Sequence, residues 1–226
     1  MDKQLLQTCM PGLDDTAYER FCLYYARLTE TNRVMNLTAI TEEQEVASKH
    51  FADSLAALPY LNRNAAVIDV GTGAGFPGVP LLIACPTLQL TLVDSLQKRL
   101  TFLEGLLKEL GLSASIVHGR AEELGQNSLY REKFDFALSR AVANLPVLLE
   151  LTTPFIKVGG TAIAYKGRTE EELAQARSAA FLLHVKLESV PLVSSIGERA
   201  LVLAKKTAPT PKIYPRRPGT PAKKPL

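Results

Sequence analysis

The stretch Val67-Ile-Asp-Val-Gly-Thr-Gly-Ala-Gly-Phe-Pro-Gly78 constrains this chain more than any other. It follows a continuous apolar run, AAVIDV (65–70), of the kind that forms a strand buried on both faces. Gly71, Gly73 and Gly75 let the backbone turn sharply and approach a ligand with no Cβ in the way. Pro77 then suits the first position of a helix. A strand, a glycine-rich turn and a helix form the opening of a βαβ unit.

The rest of the chain continues that pattern. LQLTLVD (88–94), SASIVHG (113–119), FDFALSRAV (134–142) and TAIAYKG (161–167) read as further strands. Leu96, Leu100, Leu103, Leu107 and Leu110 mark a helix that ends at Gly111, and a short helix is expected near 144–153. Thr169 with Glu172 has capping-box spacing for another helix. VKLESVPLV (185–193) and RALVLAKK (199–206), joined by a short SSIGE turn, are expected to pair as an antiparallel hairpin. The fold class is therefore α/β, a Rossmann-like seven-stranded, mostly parallel sheet with helices on both faces.

Residues 1–60 read as an N-terminal helical extension. Thr16 with Glu19 and Thr41 with Gln44 have capping-box spacing, and Pro59 stops the second helix. Residues 61–206 form the Rossmann-like domain, and residues 207–226 form a basic, proline-rich tail. Residues 205–226 hold seven of the 26 basic residues, six prolines and no acid, whereas the remaining residues are net acidic. Such a tail is no regular helix. It reads as a solvated extension, as a strap anchored by Ile213 and Tyr214, or as an arm seeking RNA phosphates; the last is the reading taken here.

Hydrophobic residues at 46% and charged residues at 22% exclude a disordered chain. No apolar run approaches the ~20 residues of a membrane helix, and the first twenty residues lack a secretory pattern. Cys9, Cys22 and Cys85 suggest neither a disulfide framework nor a zinc site, and His50, His118 and His184 are scattered. A cytoplasmic protein with reduced thiols and no metal is expected.

Two cofactors suit the glycine segment. Gly73-Ala-Gly-Phe-Pro-Gly78 satisfies the dinucleotide pattern, but the first glycine after the strand is Gly71, and in that register Phe76 stands at the third glycine position. The alternative, Asp69-x-Gly-x-Gly-x-Gly, resembles the first motif of S-adenosylmethionine-dependent methyltransferases. Asp94 ends the second strand, where an acid accepts hydrogen bonds from ribose hydroxyls. The loop His118-Gly-Arg-Ala-Glu-Glu123 falls at the carboxyl end of the third strand, placing Ala121 and Glu122 to hold an adenine; such acids also suit a helix N-terminus. Arg140, at the mouth of the sheet, calls for a carboxylate or phosphate partner.

The acceptor is narrowed by what is missing. Ser139-Arg-Ala-Val142 stands where amine methyltransferases carry D/N-P-P-Y/F/W, and the cysteines lie away from the fourth strand. A guanine N7 attacks through its lone pair and needs positioning rather than a base. Cations without an obvious base are compatible with that chemistry. The rivals are a small-molecule or protein methyltransferase on the same fold, and a non-catalytic RNA-binding module.

A wider set of motifs then occurs in order: Asn36-Leu-Thr-Ala, His50-Phe-Ala-Asp-Ser54, the segment Asp69–Gly78, Asp94-Ser-Leu-Gln-Lys-Arg99, Ser139-Arg140, Lys166-Gly167, Gly197-Glu-Arg199 and Tyr214-Pro-Arg-Arg-Pro-Gly-Thr-Pro, ending in Lys-Lys-Pro-Leu226. From about residue 20 onward the chain resembles the bacterial RsmG family, also called glucose-inhibited division protein B. The resemblance implies methylation of N7 of a guanine in the decoding-region loop of 16S ribosomal RNA. Its partner would be that RNA in the small subunit or an assembly intermediate, with no DNA and no membrane. It implies cofactor contacts at Gly71, Phe76, Ala121, Glu122 and Arg140, which join Gly73 and Asp94. It makes Lys98, Arg99, Arg120, Lys166 and Arg199 candidates for RNA or active-site contact, and no residue is assigned as a base. His50 and Asp53 fall in a family motif without an assigned role.

Overall fold

A computed structural model describes residues 1–193 and 197–226. In chain order the elements are α1 (Lys3–Cys9), α2 (Asp15–Met35), α3 (Glu43–Glu45), a π-helical segment (Val46–Ala52) and α4 (Asp53–Leu55). They continue with β1 (Ala66–Val70), α5 (Gly78–Ala84), β2 (Gln89–Asp94), α6 (Gln97–Leu110), β3 (Ser115–His118), α7 (Ala121–Leu124), β4 (Phe134–Arg140), α8 (Leu145–Thr152) and β5 (Ile156–Lys166). The last are α9 (Glu170–Gln175), α10 (Arg177–Leu182), β6 (Val185–Leu192), β7 (Arg199–Lys206) and α11 (Thr220–Lys223).

The strands form a seven-stranded sheet in the order β3-β2-β1-β4-β5-β7-β6, with β1 central to a parallel set and β7 antiparallel to its neighbours. The β6–β7 hairpin expected from the sequence is present, with Leu192 opposite Arg199. Of the turn expected between them, Ser194, Ser195 and Ile196 lie outside the described residues. Ile68, Val70, Ala137 and Leu138 are buried, as the unbroken apolar runs require. One apolar cluster runs from Leu6 through Phe21, Tyr24 and Phe51 to Val67, Leu92 and Leu103, so the N-terminal helices share a core with one face of the sheet.

Several local signals resolve differently from their reading in sequence. The N-cap of α2 is Asp14, whose carboxylate accepts from the Ala17 amide at 2.7 Å, and not Thr16. Thr41 caps nothing, since α3 starts after Glu42 without a side-chain bond. At Thr169 the hydroxyl turns to Ser189, while Glu172 reaches back to the Leu145 amide and Lys166. At Thr16 a better-placed acid, and at Thr169 tertiary partners, outcompete the local box. The fourth strand stops at Arg140 rather than residue 142, because Ala141 turns left-handed (φ 56°).

The tail does not stand off in solvent. Arg131 donates to the carbonyls of Thr210, Pro211 and Tyr214. Gln126 donates to those of Lys212 and Pro215. Tyr214 is buried, whereas Ile213, the other expected anchor, is exposed. Arg216 forks onto both oxygens of the fully buried Glu150 of α8, at 2.6–3.1 Å. This is a bidentate, charge-assisted pair.

Removing one partner of such a pair strands the other charge. Arg216→Ala is expected to cost about 2–4 kcal/mol, below the usual figure for a fully buried pair because Arg216 keeps some exposure. That corresponds to a fall of roughly 5–15 °C in Tm at this chain length. Arg216→Lys should recover part of it. A melting curve that does not move would show that the tail is not held through Glu150.

Candidate active site

The glycine turn sits at the carboxyl end of β1, held from below by two buried carboxylates. Asp69 Oδ2 accepts from Thr72 Oγ1 (2.8 Å) and the Gly78 amide (3.0 Å). Asp94 Oδ2 accepts from the Gly73 amide (2.9 Å), and its Oδ1 takes the Leu96 amide. Burial pushes the Asp69 carboxyl up to about 6, against the pull of those two donors and of Arg140.

The three glycines do different work. A Cβ on Gly71 would strike Val142 at 2.7 Å, and one on Gly75 would meet Tyr24 Oη, Leu103 and Val79 at 2.7–2.8 Å. A Cβ on Gly73 would meet nothing within 4 Å, because this residue faces open space at φ 60°. Only Gly73 therefore offers bare backbone to a ligand.

That space is a cleft of about 420 Å³ lined by Gly71, Gly73, Phe76, Asp94, Arg99 and Arg140 together with Thr38 and His50. An adjoining hollow of about 190 Å³ is lined by Gly71, Asp94, Arg120, Ala121 and Glu122. Thus the seven residues assigned to the cofactor line two neighbouring spaces that share Gly71 and Asp94. Arg120 and Arg99 stand at these spaces, Lys98 is exposed on α6 outside their lining, and Lys166 and Arg199 belong to ion pairs behind them.

Arg140 has an internal partner the sequence left unnamed. Its guanidinium reaches Asp53 Oδ2 (3.2 Å), the Lys49 carbonyl (3.1 Å) and His50 Nδ1 (3.3 Å). Arg199 forks onto the same Asp53 at 2.7–2.8 Å. One buried carboxylate thus sits between two guanidinium groups, and the cluster keeps a net positive charge. The π-helical turn carrying Lys49 and His50 turns those backbone groups toward Arg140.

Phe76 carries a stack. The His50 ring lies 4.5 Å from it, Tyr24 lies 5.3 Å away on α2, and the Arg140 guanidinium sits 4.8 Å from its centre. Tyr24 also donates its hydroxyl to the Ala74 carbonyl at 2.6 Å, tying the glycine turn to the N-terminal helix. His50 Nε2 bonds Thr38 Oγ1 at 2.8 Å. Burial, then the nearby Arg140 cation, lowers its pKa to about 4. The ring is neutral, and both its nitrogens are taken.

Lys166 Nζ bonds the Ala143 carbonyl (2.8 Å) and Glu172 (2.6 Å), and Glu172 accepts from the Leu145 amide. This pair fixes the 141–145 loop whose Val142 closes over Gly71. Tyr24, Thr38, His50 and Asp53 are the site residues the sequence did not assign. Thr38, in Asn36-Leu-Thr-Ala, and His50 and Asp53, in His50-Phe-Ala-Asp-Ser54, lay in quoted motifs, and Tyr24 carried no signal.

A glycine facing open space, an acid at the end of β2 and an arginine-rich floor suit S-adenosylmethionine. The family model for rRNA small subunit methyltransferase G (GidB) matches residues 17–202. A ribosomal RNA small subunit methyltransferase G from Lactobacillus acidophilus is 50% identical over 223 residues, covering 95% of this chain and 93% of the relative. One of the same name from Alkaliphilus metalliredigens is 48% identical, covering 95% and 92%. The chain belongs to the rRNA small subunit methyltransferase G family. It is an S-adenosylmethionine-dependent methyltransferase.

The fold agrees with solved methyltransferases. A Pyrococcus furiosus methyltransferase superposes with a TM-score of 0.59 at 12% identity, covering 83% of this chain and 98% of that one. A Burkholderia thailandensis 1,6-didemethyltoxoflavin-N1-methyltransferase, solved with bound S-adenosylhomocysteine, gives 0.58 at 18%, covering 84% and 90%.

Two outcomes test this geometry. Gly73→Val puts a branched side chain into the open space, so S-adenosylmethionine binding should be lost in a folded protein, and unchanged affinity by calorimetry would refute the placement. The second concerns His50. The unfolded ring takes a proton below about 6.5 and the folded ring only below about 4, so its contribution to stability is lost as pH falls through that window. Asp69, raised from 3.8 to about 6, acts in the opposite sense between those values and masks the loss. His50→Gln should therefore gain about 2–3 kcal/mol on the parent between pH 7.5 and 4.5 in urea unfolding. A difference independent of pH would show that the ring titrates normally.

Proposed function

We propose that S-adenosylmethionine lies across the two joined spaces and that the enzyme methylates N7 of a guanine in the decoding-region loop of 16S ribosomal RNA. In this reading Glu122 and Ala121 border the adenine, Asp94 takes the ribose hydroxyls, Gly73 presents bare backbone with Gly71 beside it under Val142, and Phe76 and Arg140 border the methionine end. The cofactor, once bound, supplies a methyl group on a positively charged sulfur.

The observation that carries the N7 reading is the state of His50. It is the titratable group near neutrality that lines the larger cleft, and it is neutral with Nδ1 facing Arg140 and Nε2 on Thr38. Asp94 is occupied by backbone amides and Arg99. Among the described residues, no group lining the larger cleft is free to take a proton from the acceptor. N7 has none to give, so orientation and exclusion of water suffice.

The RNA, in the small subunit or an assembly intermediate, would meet a cationic rim. Lys98 and Arg120 are exposed beside the cleft, and Arg99 is partly exposed there. Lys212, Arg217, Lys223 and Lys224 are exposed on the tail. Lys166 and Arg199 act in this reading from behind, through the 141–145 loop and Asp53. Contacts to phosphate bring salt dependence at a slope of roughly −0.7 to −0.9 per contact.

With no base in the step, the rate should stay nearly flat between about pH 6.5 and 9, where N7 is unprotonated and the lysines stay charged. A single steep rise near neutrality would point to a general base. Product RNA treated with borohydride and aniline should be cleaved at one guanine, and intact product would end the N7 reading.

A further inference from the structure

The tail reaches the cofactor pocket. The Gly219 amide donates to Glu122 Oε1 at 2.9 Å, across 97 residues of chain. Glu122 is buried and lines the smaller hollow, and its Oε2 accepts from no described residue. Behind it the tail lies flat against α7. A Cβ on Gly125 would strike Pro215 at 2.9 Å, and Arg131 joins the Gly125 carbonyl to that of Tyr214 through one nitrogen. Arg216 locks this run onto Glu150 and also bonds the Lys224 carbonyl, so the residues on either side of Gly219 are tied back.

Glu122 is the second residue of a four-residue helix with no side-chain cap. So short a helix does little to hold its own geometry. What fixes one Glu122 oxygen is a backbone amide from the chain's last eight residues. Gly219 is left-handed (φ 78°), and that conformation turns its N–H toward the carboxylate.

The geometry points to Gly219 as a positioning residue for the cofactor: the C-terminal strap aims Glu122, leaving its second oxygen for the adenosine end of S-adenosylmethionine. This rests on Glu122 bordering the adenosine. In sequence the tail and the cofactor loops read as separate features, and this bond joins them.

The test is a double-mutant cycle read by calorimetric S-adenosylmethionine affinity in the full-length protein. Gly219→Pro removes the donor but also forces φ from 78° to about −65°, so its effect is read as the difference between backgrounds, and Glu122→Ala removes the acceptor. Each is expected to weaken binding about ten- to a hundredfold, the scale of one hydrogen bond to a charged group. The double variant should be no weaker than Glu122→Ala alone. In a Glu122→Gln background, where an acceptor oxygen remains, Gly219→Pro should again weaken binding, a dependence that general loosening of the fold would not reproduce. Gly219→Pro without effect, or with equal effect in the parent and in the Glu122→Ala variant, would overturn the inference while leaving the pocket assignment intact. Glu122→Ala without effect would instead overturn the assignment beneath it. If Gly219→Pro does not fold, truncation after Pro218 removes the same donor and keeps the Arg216–Glu150 pair, and the same comparisons apply.

Discussion

The site depends on how a chain of glycines is prevented from wandering. Left-handed backbone at Gly71, Gly73 and Gly75 costs much entropy to hold. Here two carboxylates from adjacent parallel strands hold it, Asp69 through Thr72 and Gly78, and Asp94 through Gly73. Both acids are buried, so their hydrogen bonds are not diluted by water. The consequence for Asp69 is a raised pKa and one oxygen, Oδ1, that has no partner among the described residues. Tyr24 and Val142 then close the turn from either side, which leaves Gly73 as the opening.

The second constraint is electrostatic. Asp53 is shared by Arg140 and Arg199, which come from β4 and β7, while Asp53 itself starts α4. Three parts of the chain distant in sequence are thereby fixed around one buried charge. Breaking such a cluster costs more than forming it gains, because a lone buried ion is left behind. Burial, aided by the Arg140 cation of this cluster, keeps His50 neutral. The histidine lining the cleft is thus engaged at both nitrogens, and the cleft is left to bind and orient.

The central architecture was legible because each signal was local and repeated. Val67–Val70 and Leu90–Val93 are apolar runs of strand length, Gly111 ends α6 in the left-handed region, and the closing hairpin follows from two flanking strands. Glycine spacing with an acid at residue 94 pointed to the stretch of chain that lines the cleft. The partners of that site were not legible, since Asp53 and Arg199 are 146 residues apart and Tyr24 and Ala74 are 50 apart. The capping boxes at Thr16 and Thr41 failed for the opposite reason. Their spacing is a local rule, but Asp14 was the better acceptor for α2, and α3 begins without any side-chain cap.

The tail shows how composition can mislead about place. Six prolines and seven cations suggest a free basic arm, yet proline also lowers the entropy lost when such a segment docks. Two of those cations are paired inward: Lys206 is buried against Glu132, and the half-buried Arg216 is engaged with Glu150. Carbonyls of residues 210–215, which lie ahead of α11 in irregular chain, are collected by Arg131 and Gln126. Once docked, the strap lies against α7 on the same side as the smaller cofactor hollow, while Lys212, Arg217, Lys223 and Lys224 face outward. Strapping and RNA contact are therefore compatible. The apolar and hydrogen-bonding side of the segment holds the protein together, and the exposed cations remain free to meet phosphate.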